Sequence, residues 1–113
     1  TRANAVWRVP LMIDGGVSKV GLAIQLSGGL GGPDGLALDA EGGLVVAHVG
    51  LGVWRFDALG RPTHFIDPPG RFVTNIAFKG RQLYMTESST GTILVADMPF
   101  PGKAMFGPAA AKG

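Results

Sequence analysis

Short apolar runs recur along this chain at a spacing of about 40 residues, the length of sequence that builds one four-stranded propeller blade. Gly35-Leu36-Ala37-Leu38 lines up with Asn75-Ile76-Ala77-Phe78, and Leu44-Val45-Val46-Ala47 with Leu83-Tyr84-Met85-Thr86. Val53-Trp54-Arg55-Phe56-Asp57 lines up with Ile93-Leu94-Val95-Ala96-Asp97, and Val6-Trp7-Arg8 echoes Val53-Trp54-Arg55. The runs either alternate with period 2 or are continuous over a few residues, as strands do. They predict strands at Val6–Val9, Lys19–Leu26, Gly35–Asp39, Leu44–Val49, Val53–Asp57, Thr63–Asp67, Asn75–Lys79, Leu83–Glu87 and Ile93–Asp97. Between them stand Asp14-Gly15-Gly16, Gly31-Gly32-Pro33-Asp34-Gly35, Glu41-Gly42-Gly43, Leu59-Gly60-Arg61-Pro62 and Lys79-Gly80. Such residues accept positive φ or preset a turn. No helix-length window keeps a 3.6-residue period without Gly or Pro inside it. The expectation is an all-β chain of antiparallel propeller blades, with a plain meander of hairpins as the alternative.

Composition narrows the function. With 16% charged and 46% hydrophobic residues, the chain has enough apolar surface to fold. The absence of Cys excludes a disulfide framework, thiol catalysis and a Cys-based zinc site. The ten Lys and Arg are scattered singly without an interleaved aromatic stripe, which argues against a nucleic-acid partner. No apolar run approaches the ~20 residues of a membrane span, so no membrane partner is expected. The chain begins at Thr1 with no signal-peptide pattern. A soluble, cytoplasmic protein is expected, one whose true N-terminus lies further upstream.

Counting strands gives roughly two and a half blades, against the four to eight of a closed ring. The expected division is a partial propeller over residues 1–98, followed by an irregular tail over 99–113. Within the propeller, residues 1–30 form the outer half of one blade, 31–70 a full blade, and 71–98 the inner strands of another. Such a segment leaves bare edges and apolar faces, to be covered by missing blades or by self-association.

The series Gly31-Gly32-Pro33-Asp34-Gly35-Leu36-Ala37-Leu38-Asp39-Ala40-Glu41-Gly42 is more specific than a turn pattern. It is followed by Val45-Val46-Ala47-His48-Val49-Gly50, Val53-Trp54-Arg55-Phe56-Asp57, Thr74-Asn75-Ile76-Ala77-Phe78 and Leu83-Tyr84-Met85-Thr86. Together these resemble the gluconolactonase, senescence-marker protein and luciferin-regenerating enzyme family, over roughly Val6 to Asp97. The resemblance is to the C-terminal part of that family's six-bladed propeller. It implies a metal-dependent lactone hydrolase acting on a small-molecule sugar lactone. In that family a Glu, an Asn and an Asp hold a divalent cation in the central channel. The cation polarises the lactone carbonyl, and the Asp is the general base. The Asp of the motif is Asp34, the expected metal ligand and catalytic residue. Ca²⁺ is the first expectation, with Zn²⁺, Mg²⁺ and Mn²⁺ as alternatives. The family's Glu and Asn ligands belong to segments outside this chain, so activity is expected in a complete or assembled ring.

Read without the resemblance, Asp34 is a turn residue between Pro and Gly. His48 closes the second strand of the full blade, on the same propeller face as Asp34, where it is either a substrate contact or a packed loop residue. Glu87, with Ser88, takes the matching place one blade on. Thr74 and Asn75 repeat the positions of Asp34 and Gly35, and Asn75 either donates to a substrate oxygen or fixes its own turn. Trp7 and Trp54 are expected to pack between blades, His64 to be solvated, and Asp57 and Asp97 to serve turns. Substituting Asp39, at the far end of the Asp34 strand, is expected to do little to lactone hydrolysis. The other readings of the chain are a non-catalytic binding or scaffolding fragment, and an NHL-like or strictosidine-synthase-like repeat protein.

Overall fold

A computed structural model describes residues 4–8, 21–26, 28 and 31–104. The described residues form nine strands and no helix: β1 (Ala5–Arg8), β2 (Gly21–Gln25), β3 (Gly32–Leu38), β4 (Leu44–Val49), β5 (Gly52–Phe56), β6 (Pro62–Ile66), β7 (Val73–Lys79), β8 (Gln82–Glu87) and β9 (Thr92–Asp97). Every strand pairs antiparallel with its neighbour in sequence, in three sheets ordered β1-β2, β3-β4-β5-β6 and β7-β8-β9.

The sheets stack face to face, and each junction has its own apolar core. Val45, Ala47 and Val53 meet Val73, Ile76, Leu83 and Met85 between the second and third sheets. Val46 and Phe56 meet Ile24 and Leu26 between the second and first. Strand β4 therefore buries both faces, which explains its unbroken Leu-Val-Val-Ala run where a one-sided strand would alternate. Strand β6 is the outer edge. It begins with Pro62, exposes Thr63 and His64, and so presents a poor template for further pairing.

Two strands, β3 and β7, begin two or more residues earlier than the sequence suggests. Gly32 and Pro33 pair with Val49 and His48, and the register then slips between Pro33 and Leu36. The same slip falls between Val73 and Asn75 in β7. A bulge thus absorbs residues that read as a turn, and Asp34 lies within the strand. Gly32 has φ +70°, a conformation costly for any residue with a Cβ. Trp54 packs as expected, against the core and 4.5 Å from the Phe65 ring centroid. Trp7 does not: it is 56% exposed.

Asp39 has a structural role. It is buried, and its Oδ2 accepts from Arg55 Nε at 2.9 Å in an ion pair that is itself buried. Its Oδ1 accepts from the Glu41 and Gly43 amides and closes the β3–β4 turn. Burial opposes its ionisation. The Arg55 guanidinium and the two amides win, and hold the carboxyl below its ordinary range.

After β9 the chain crosses back beneath the second sheet. The Ala40 amide donates to Pro101 O, Lys103 N to Leu38 O, and Gly102 N to Gly80 O, each at 2.8–2.9 Å. Gly102 sits so close to Phe78 that a Cβ would overlap its side chain. Phe100 lies under Arg55, 4.7 Å from guanidinium carbon to ring centroid. Residues 105–113 of the expected tail lie outside the described residues, as do Val9, Lys19 and Val20 of the expected strands.

Candidate functional site

Strands β3 and β7 are the innermost of their sheets and lie against each other. They touch where Gly35 faces β7. A Cβ there would stand 2.7 Å from Asn75 Cα and 2.8 Å from Thr74 O, so the approach requires glycine. The residue before Gly35 is Asp34 and the residue before Asn75 is Thr74, which brings three of the expected site residues to one spot.

Asp34 is exposed, and its carboxylate has no hydrogen-bond or ion-pair partner among the described residues. The exposed Asn75 accepts the Ile76 amide on Oδ1 at 3.0 Å, which leaves its side-chain N–H groups uncommitted. Thr74 is half-buried, with its hydroxyl 3.5 Å from that of Thr86.

His48 and Glu87 reach the same end of the sheets but turn inward. The pairings Pro33↔His48 and Val73↔Glu87 make them equivalent positions of successive blades, and both are fully buried. His48 Nε2 lies 2.9 Å from Gly28 O, a partner that can only accept, so Nε2 carries the proton. Its Nδ1 is buried without a partner among the described residues. Glu87 accepts from the Ser89 amide, the Ser89 hydroxyl and the Thr90 hydroxyl. Those bonds, the Ser89 hydroxyl foremost, outweigh burial and hold its carboxyl below the ordinary range. Gly70 lies directly over the carboxylate, in contact with Oε2.

Neither side chain faces the Asp34 surface as a free group. Sequence reasoning placed both at this end of the sheets, as substrate contacts or as packed loop residues, and their burial fits the packed alternative. The run Glu87-Ser88-Ser89-Thr90 carried a signal, since hydroxyl residues after a carboxylate commonly close a turn. Nothing comparable marked the bond from His48 to Gly28. Among the described residues no three His, Cys, Asp or Glu side chains converge as a metal cluster.

The profile of the SMP-30/gluconolactonase/LRE-like region matches residues 1–90. The chain belongs to that family. No curated protein matches it closely enough to count as a relative. An X-ray structure assigned as a gluconolactonase superposes with a TM-score of 0.78 at 27% identity, covering 90% of this chain and 34% of that one. The calcium-binding protein regucalcin of Agrobacterium tumefaciens gives 0.74 at 29% identity, covering 96% and 42%. A luciferin-regenerating enzyme gives 0.74 at 20% identity, covering 88% and 40%, a likeness of fold alone.

This gluconolactonase-family chain is therefore a partial propeller, spanning between a third and a half of the structures it matches. Its β1–β2 pair covers Val46 and Phe56 but leaves Leu36 and Leu38 about half exposed. At the other end Ile93 and Val95 of β9 are open, 68% and 50% exposed. Below Asp34, the side chains of Leu36, Ala77, Phe78 and Lys103 line an open groove of about 510 Å³.

Proposed function

We propose that this chain is the C-terminal segment of a metal-dependent sugar-lactone hydrolase that works as a complete or assembled ring. The observation that carries the reading is Asp34: an uncommitted carboxylate at a bulge of an innermost strand, beside Asn75, within the matched region. Its fit to a hard divalent cation is chemical. A free carboxylate oxygen is the donor such ions take, Ca²⁺ first, and regucalcin binds calcium on the same fold. Further ligands would come from outside the described residues. The open Leu36–Leu38 and Ile93–Val95 faces are where the rest of the ring would sit.

Bound there, the cation would supply electrophilic activation of the lactone carbonyl. Asp34 would hold it with one oxygen, and orient and deprotonate the attacking water with the other, within about 3 Å of that water. An Asn75 side-chain N–H would donate to a substrate oxygen. Water adds to the carbonyl carbon, the ring C–O bond breaks, and the proton passes to the departing ring oxygen. The product is an open hydroxy acid, with no change of oxidation state.

The deciding experiment compares Asp34→Asn with Asp97→Asn, the same change at an exposed carboxylate closing β9, in the complete protein, following hydrolysis of a six-carbon sugar lactone by proton release. Asp34→Asn keeps the shape of the bulge but removes the charge and the base, and should lower turnover by about 10³-fold or more. Asp97→Asn should stay within a few-fold of wild type. Equal turnover in the two variants removes Asp34 from the site.

A further inference from the structure

We infer that His48 is a positioning residue for Asp34, acting through the lead-in to β3 and not by touching substrate; this rests on the role proposed above for Asp34. Three observations converge on it. His48 is the cross-strand partner of Pro33, the residue before Asp34. Its Nε2 donates to Gly28 O at 2.9 Å, while the next residue, Val49, accepts the Gly31 amide at 3.1 Å. Both described ends of the connection into β3 are therefore fastened to the last two residues of β4. The ring is also buried with Nδ1 unpartnered among the described residues, a cost that an apolar side chain of similar size would not carry. A core keeps such a group when its other end is needed, and the other end is the Gly28 tether.

The equivalent side chain one blade on makes the point by contrast. Glu87 directs its side-chain bonds into the Ser89–Thr90 turn that follows it, so it stiffens its own hairpin. His48 bonds backwards across twenty residues, to the segment that delivers Asp34. The β7 lead-in is held instead by the Ser88 amide and hydroxyl on Phe72 O, whereas in the β3 blade the buried side chain near the end of the second strand itself reaches back to the lead-in. A displacement of a reacting group by about 1 Å can cost on the order of 10²-fold in rate, so a slack lead-in would be felt at Asp34.

The test uses His48→Phe and His48→Gln in the complete protein. Phe fills similar space without a donor, and Gln restores an N–H able to reach Gly28 O. Gly28 O also accepts from Asn4 Nδ2 at 3.2 Å, so Asn4→Ala is a milder probe of the same tether that stays out of the core. In His48→Phe the Gly31 amide should exchange with solvent at least tenfold faster, on the order of a lost local restraint. Turnover of gluconolactone should fall by about 10²-fold with KM little changed. His48→Gln should recover most of both, and Asn4→Ala should move both in the same direction by less. Unchanged Gly31 exchange in His48→Phe, or equal turnover in the Phe and Gln variants, overturns the inference. Should His48→Phe not fold, unchanged exchange and turnover in Asn4→Ala overturns it. Should the wild-type ring bind Ca²⁺ but not hydrolyse lactones, the assigned reaction fails by itself. Calcium affinity then decides: weaker in His48→Phe and restored in His48→Gln supports positioning, and equal affinity throughout overturns it. A wild-type ring that takes up no Ca²⁺ overturns both.

Discussion

The β3–β6 and β7–β9 sheets are built to one plan and finished differently. Both inner strands carry a bulge near their start, and both second strands end on a fully buried polar side chain. One blade then carries Asp34 and Gly35 where the next carries Thr74 and Asn75, and His48 where the next carries Glu87. At the opposite end the first blade buries Asp39 against Arg55. The residues one repeat later, Lys79 and Val95, are both exposed. The comparison teaches that the repeat fixes positions and leaves chemistry free. A bulge and a buried pin recur because the fold needs them, whereas a free carboxylate appears in one blade.

The sharpest way to break this asymmetry is at the Asp39–Arg55 pair, which one blade has and the other lacks. Asp39→Ala leaves the Arg55 guanidinium buried without its counter-charge, and should cost about 3–5 kcal/mol in urea unfolding. Lys79→Ala should stay within about 0.5 kcal/mol, being a solvated position. Acid should act on the same pair. The folded pKa of Asp39 is lowered, so its contribution is present above the ordinary carboxylate pKa of about 3.9 and is lost as pH falls through the folded value. Asp39→Asn should flatten that acid limb. A mutant curve parallel to wild type below about pH 5 would show that the pair carries no linked proton.

A smaller effect is expected where the two blades touch. Gly35→Ala would drive a methyl group into the Asn75 backbone, which cannot swing aside as a side-chain tip would. The expected loss is about 1–3 kcal/mol, the usual cost of overpacking. Ala77→Ser on the open side of β7 should be nearly silent by comparison. A stable Gly35→Ala variant with unaltered spectra would mean that the blades can part without penalty.

The pattern of strands was legible in the sequence because period and turn chemistry are local. Leu44 to Val49 announced a strand buried on both faces, and Gly-rich turns bracketed nearly every other one. The bulges were not legible. Gly32 and Pro33 suit a turn and the first residues of a strand equally well, and only the pairing with Val49 and His48 decides between them. Within the candidate site, Asp34, Thr74 and Asn75 could be placed together by counting one repeat. The covering of His48 by Gly28, and the pairing of Asp39 with Arg55, join residues 20 and 16 positions apart with no periodicity to betray them. The Trp7 expectation failed because its likeness to Trp54 is local, whereas Trp54 is covered by a neighbour, Phe65, from the outer edge strand of its own sheet.

The smallest effect concerns the strap that ties the first blade, β3–β6, from beneath. The Phe100 ring lies 4.7 Å from the Arg55 guanidinium carbon, so the guanidinium meets an aromatic face as well as the Asp39 carboxylate. The main-chain bonds of Pro101, Gly102 and Lys103 do not depend on the side chain at 100, and should survive its replacement. Phe100→Leu keeps an apolar cover over Arg55 but removes the negative face of the ring. The expected loss is about 1 kcal/mol, between the values for exposed and desolvated cation–aromatic contacts, since Arg55 is buried and Phe100 half-buried. Phe100→Ala also strips the cover and should cost more. The two contributions separate in a double-mutant cycle with Arg55→Met, in which the cation is absent from both members of one edge. If the ring acts on the charge, Phe100→Leu should be nearly neutral in the Arg55→Met background. If the loss is the same in both backgrounds, Phe100 serves as cover alone. The strap would then hold the first blade through its backbone bonds, and the asymmetry between the blades would reside in the Asp39–Arg55 pair by itself.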